Sequence, residues 1–210
     1  MITQPSETPA RTASHRLARL ATEVLAPWVW VLGLPLAIGW HATHTVLGAT
    51  SWGLTVGITG SVIPMVVIVR GARKGKWDSH HVTNREGRVV PFVACVTSLA
   101  AGIAILVAGE APHQMVALAL AMFATLVVSV AITFGLSWKI SMHAAVAAGA
   151  VAILVVTYGW WLVLLGLAVV LVNWSRVKLG DHTTGQVVAG TALGIAAGGM
   201  TYWWLTVALG

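Results

Sequence analysis

VVPFVACVTSLAAGIAILVAG, residues Val89 to Gly109, holds no charged side chain along its whole length. At 1.5 Å per residue such a run makes a helix of about 30 Å, the thickness of a bilayer's hydrocarbon core. Similar apolar runs fall at roughly 24–42, 50–69, 115–137, 143–158, 160–174 and 184–207. The pair after His143 is shorter, and Tyr158-Gly159-Trp160-Trp161 between them reads as an interfacial turn. With 58% hydrophobic and only 9% charged residues, and a mean hydropathy of +0.86, the chain departs from soluble composition. The expected fold is therefore all-α, a polytopic membrane bundle of six to seven transmembrane helices. Residues 1–22 read as a cytosolic tail and 23–210 as one transmembrane domain. The tail is polar, and its stretch His15-Arg16-Leu17-Ala18-Arg19-Leu20 has the pattern of a short amphipathic helix on the headgroups. No signal peptide is expected, because the first apolar run is span-length and has no clear cleavage site. Cys95 is the single cysteine and lies in an apolar run, so neither a disulfide framework nor a cysteine metal site is available.

Charge orients the bundle. Every Lys and Arg lies in the tail (Arg11, Arg16, Arg19), between Arg70 and Arg88, at Lys139, or at Arg176 and Lys178. If the runs cross alternately, all four places share one face, and the positive-inside rule puts that face in the cytosol. A net charge of +6 alone would suit nucleic acid or anionic lipid. Its placement along one membrane face assigns it to lipid, and no nucleic-acid partner is expected. Trp40, Trp52, Trp160, Trp161, Trp203 and Trp204 gather at the far face, and Trp28, Trp77, Trp138 and Trp174 nearer the basic one, an aromatic-belt pattern. Thr125, Ser129 and Thr133, and Gly190, Gly194 and Gly198, recur every four residues, which reads as helix packing through small side chains.

Three polar clusters meet the membrane on the basic side: residues 78–88, Lys139-Ile140-Ser141-Met142-His143, and Asn173 to Gln186. Cations, histidines and a hydroxyl with few carboxylates suit a compact anion such as phosphate. The second and third clusters resemble motifs of the type 2 phosphatidic acid phosphatase superfamily. Its third motif, Ser-Arg, five residues, His, three residues, Asp, is matched by Ser175-Arg176, His182 and, in place of the Asp, Gln186. Its second, Pro-Ser-Gly-His, is matched at Ser141 and His143. Its first, Lys, six residues, Arg-Pro, survives as His81, six residues, Arg88. The resemblance spans roughly residues 75–195.

That resemblance implies a metal-independent lipid phosphatase without a cofactor, acting on a polyprenyl phosphate or diphosphate or on phosphatidate. His182 would attack phosphorus as a neutral imidazole and carry a phosphohistidine. His143 would protonate the departing oxygen and then activate water, a role worth about 10²–10⁴-fold. Arg176, with Arg88 and Arg85, would clamp the phosphoryl oxygens. Ser141 would add a hydrogen bond, with Ser175 in the turn. Lys139 lies outside the family pattern and either adds a cation or snorkels to the headgroups. Gln186 can orient the His182 ring through its amide oxygen but brings no charge. Asp181, adjacent in sequence, would point elsewhere on a helix and receives no role. The expected location is the cell membrane, and the charge pattern has the site facing the cytosol.

Two other readings stay open. A lipid-binding or transporter-like relative with a decayed site is favoured by Gln186, Met142 and the worn first motif. Prenyl transfer would need Asp-rich, Mg²⁺-holding motifs, whereas Glu7, Glu23, Asp78, Glu86 and Asp181 are scattered. Adjacent His80 and His81 do not share a helix face, so they read as a solvated loop. His41, His44 and His113 fall at the far interface.

Overall fold

A computed structural model describes residues 13–73 and 89–208. Among these residues every regular element is helical and none is a strand. The chain runs α1 (Ala13–Val24), α2 (Pro27–Thr43), α3 (Val46–Gly57), a wide π-helical turn at Ile58–Val62, and α4 (Ile63–Arg73). From residue 89 come α5 (Val89–Ala108), α6 (His113–Gly135) and α7 (Met142–Tyr158). A 3₁₀ stretch, Trp160–Leu165, leads into α8 (Gly166–Lys178). The final rod begins as α9 (Thr184–Leu193) and passes through a π segment, Gly194–Met200, into α10 (Thr201–Trp203) and a last π turn, Trp204–Ala208.

Four rods are long and apolar enough to cross a membrane: Val46–Gly71, Val89–Ala108, His113–Gly135 and Trp160–Lys178. The pair α1 and α2, bent by 41°, is long and apolar enough only when taken together, which brings the count among the described residues to four or five. The protein is thus a helical membrane protein, and the helix boundaries follow the apolar runs closely. Local chemistry places them. Pro27 opens α2, where its missing N–H is no loss. Thr45 caps α3 by accepting the Gly48 N–H at 3.1 Å, and Ser141 caps α7 by accepting that of Ala144 at 3.4 Å. His44 ends α2 in the left-handed conformation, and Gly159, with φ of 111°, separates α7 from the next rod.

The alanine-rich α7 is the axis of the bundle. His143, Ala144, Ala145, Ala147, Ala148, Gly149 and Ala150 are all buried on it, and α2, α8, α9 and the following π segment pack round it. The glycine ladder packs the last rod against α7 as its spacing predicts. A Cβ on Gly190 would sit 2.5 Å from the Ser141 carbonyl oxygen, and one on Gly194 would overlap that of Ala145. Such backbone proximity gives dispersion contact where apolar burial gives no driving force between helices. Thr125 and Ser129 of α6 are also interior, and their hydroxyls donate back to the Ala121 and Thr125 carbonyls at 2.9 and 2.7 Å. Outward-facing positions such as Val93, Ile105, Leu167 and Val170 are exposed, as lipid contact requires. Trp160, Trp161, Trp203 and Trp204 at one end, and Trp28 and Trp138 at the other, are exposed as well.

Candidate active site

Helix α8 ends where Gly180 enters the left-handed region at φ 75°, open to glycine without a Cβ penalty. The Gly180 N–H then donates to the Val177 carbonyl at 3.0 Å, and the Asp181 N–H to that of Arg176 at 3.1 Å. This is a Schellman motif, which satisfies the last carbonyls of the helix. It also turns the chain back on itself, so that the His182 N–H reaches the same Arg176 carbonyl at 3.3 Å. The motif's Arg and His are separated by five residues in sequence, yet one carbonyl holds them together.

Thr183 caps α9 in a full capping box. Its hydroxyl accepts the Gln186 N–H at 3.4 Å, and the Gln186 Oε1 accepts the Thr183 N–H at 3.1 Å. The same Oε1 lies 3.2 Å from His182 Nδ1. A backbone N–H can only donate, so the atom facing Thr183 is the amide oxygen, and His182 Nδ1 must be the protonated nitrogen. In the neutral ring this tautomer leaves the lone pair on Nε2, the form a nucleophilic imidazole needs. Gln186 therefore sits where the sequence spacing puts it, next to the ring.

The second cluster is bound to the third. The Ser141 N–H donates to the Gln186 carbonyl at 3.2 Å, joining the start of α7 to the first turn of α9. Lys139 Nζ donates to the Asp181 carbonyl at 3.2 Å, so this cation is tied to the turn instead of reaching only for headgroups. Ser141, His143, Ser175, Arg176 and His182 are all buried. A hydroxyl that accepts one N–H, as Ser141 does, still has a proton to donate.

Asp181 does not follow the sequence expectation. It lies beyond the end of α8, off any helix, and its Oδ2 pairs with Arg176 Nη1 at 3.1 Å. Arg176 Nε, also buried, has no hydrogen-bond partner among the described residues. The guanidinium thus has one face held by a carboxylate and a further donor able to take an anion's oxygen. Ser175 also differs from expectation: it lies inside α8, donates to the Val172 carbonyl at 2.7 Å and accepts the Thr22 hydroxyl at 3.0 Å. That bond fastens α1, the expected amphipathic helix, to the side of α8 behind Arg176. Glu23, from the same helix, adds negative potential at the guanidinium.

Arg85, Arg88, His80 and His81 lie outside the described residues. The far-face histidines are apart from this site: His41 packs edge-on against Tyr158, with ring centroids 5.3 Å apart. Sequence reasoning passed over Asp181, Thr22 and Thr183. The Thr-x-x-Gln of the capping box was a readable signal for the last; Thr22 had none. Comparison with protein-family models, curated proteins and solved structures gave no match.

Proposed function

We propose that this protein is a metal-independent lipid phosphatase of the cell membrane, working through a phosphohistidine at the cytosolic leaflet. The observation that carries the reading is the single network joining Arg176, His182, Gln186, Ser141 and Lys139, with the His182 tautomer set for attack. Six to seven crossings are the reading of the apolar runs, and a cytosolic site that of the charge pattern. In this mechanism His182 Nε2 forms a bond to phosphorus as the bond to the lipid oxygen breaks, and protonated His143 gives that oxygen its proton. Neutral His143 then takes a proton from water, whose oxygen displaces Nε2 and leaves as phosphate. Arg176 and Lys139 hold the charge on the phosphoryl oxygens throughout, with Ser141 donating from the head of α7.

The Arg176–Asp181 pair favours one competing reading, a lipid-binding relative whose clamp is neutralised from within. Purified protein with EDTA present separates the two. Phosphate release from a prenyl diphosphate or phosphatidate, lost in His182→Ala, is the expected result. Full activity in that variant, or no release by the parent protein, overturns the mechanism.

A further inference from the structure

Beside α7 runs a part-enclosed cavity of about 190 Å³, bordered on that helix by residues from Met142 to Ile153. Those eleven steps correspond to about 16 Å of helix. Met142 stands between Ser141 and His143, so the cavity starts one residue from each of these site residues. Its walls are almost wholly apolar. A dry engineered cavity of roughly 150 Å³ takes up benzene, so a space of this size is enough for hydrocarbon. An unfilled void forfeits dispersion contacts on all its walls, a loss that an entering chain restores.

Two features give the space a direction and a limit. Trp30, four residues into α2, lines it and has an indole N–H without an acceptor among the described residues. An oxygen of a phosphate head at the end of a chain would satisfy that donor. Next to Val31, Gly60 faces the space: a Cβ there would meet Met122 Cε at 3.0 Å and Val31 Cγ1 at 3.1 Å, both side chains of the wall. The absent side chain keeps open a space whose volume, close to that of a benzene-binding cavity, suits a single chain.

We infer that this cavity takes the head-proximal part of a single hydrocarbon chain, so that the site prefers single-chain, prenyl-type lipid phosphates over diacyl ones. The inference rests on the phosphatase reading for the position of the head but is tested by binding. A prenyl phosphate bearing a diazirine near its head would be irradiated with the full-length His182→Ala protein in nanodiscs, beside a diacyl phosphatidate bearing the same group. Prenyl adducts are expected on Met122, Met142 or Leu99, falling about tenfold in Gly60→Leu, with few diacyl adducts there. Gly60→Ala, which asks Met122 and Val31 to give only slightly, should fall between and guards against misfolding of the larger variant. In the active protein, Gly60→Leu should lower the ratio of kcat/KM for prenyl phosphate to that for phenyl phosphate by about tenfold. Adducts confined to lipid-facing residues such as Val93 and Ile105, equal labelling in Gly60→Leu, or equal diacyl labelling of the cavity would each overturn the inference. Cavity labelling in a protein that releases no phosphate would sink the phosphatase reading and leave the chain site standing. His182-dependent release with labelling only on the outer faces would do the reverse.

Discussion

The amide oxygen of Gln186 accepts from both the Thr183 N–H and His182 Nδ1, so it is a positioning group whose effect passes through another residue. Gln186→Glu keeps both acceptor bonds and adds a negative charge beside the ring. A carboxylate favours the protonated imidazole, and the nucleophile must be neutral, so the acidic limb of the kcat/KM profile should move to higher pH. The phosphohistidine, which carries positive charge on the ring, should form faster, raising kcat on the alkaline plateau. Gln186→Ala keeps the Thr183 cap but loses the reciprocal bond of the capping box, about 1 kcal/mol of stability, along with the tautomer control. Profiles of phosphate release against pH check both; an unmoved acidic limb in Gln186→Glu would deny His182 the role of nucleophile. The place of Gln186 beside His182 was legible through the resemblance of the third motif, where it stands for the Asp. The pairing of Asp181 was not, because it depends on α8 stopping at Gly180, and a residue counted along a continued helix comes out on the wrong side.

Among the elements, the last rod depends on backbone approach. A Cβ at Gly194 would overlap the carbonyl oxygen of Ala145, a backbone atom that cannot swing aside. Gly194→Ala should therefore cost about 1–3 kcal/mol, the range for overpacking a tight contact. Gly166 has nothing within 4 Å of its would-be Cβ and no unusual φ. Gly166→Ala should leave stability unchanged or raise it by about 0.4–1 kcal/mol. Thermal unfolding of both variants in detergent makes the comparison. The four-residue spacing of Gly190, Gly194 and Gly198 announced this packing in the sequence. The π segments at Ile58–Val62 and Gly194–Met200 were not announced, since a widened turn answers to the surface it packs against and not to a local residue preference.

For the whole molecule, the two faces make a test of orientation. Trp160 is 81% exposed at the far end, and Lys178 is exposed at the end of α8. In a Cys95→Ser background, Trp160→Cys should react with a membrane-impermeant maleimide on intact cells, and Lys178→Cys only after the membrane is opened; the opposite pattern would put the site outside. The apolar runs gave away nearly every helix boundary, because the bilayer fixes length and polarity together. The junctions between helices carried less signal: nothing local in Thr22 foretells its bond to Ser175, which exists only because α1 folds against α8. The doubly used carbonyl of Arg176 has a mechanical consequence. Arg176 and His182 are hinged on one atom and travel as a rigid unit, while His143 rides on a different helix. In the proposed mechanism the separation left to vary is therefore that between α7 and the 176–182 turn. The Ser141–Gln186 hydrogen bond and the Gly190 contact bridge α7 to α9 and would limit it, so opening of this one seam is expected to set how soon a spent headgroup leaves.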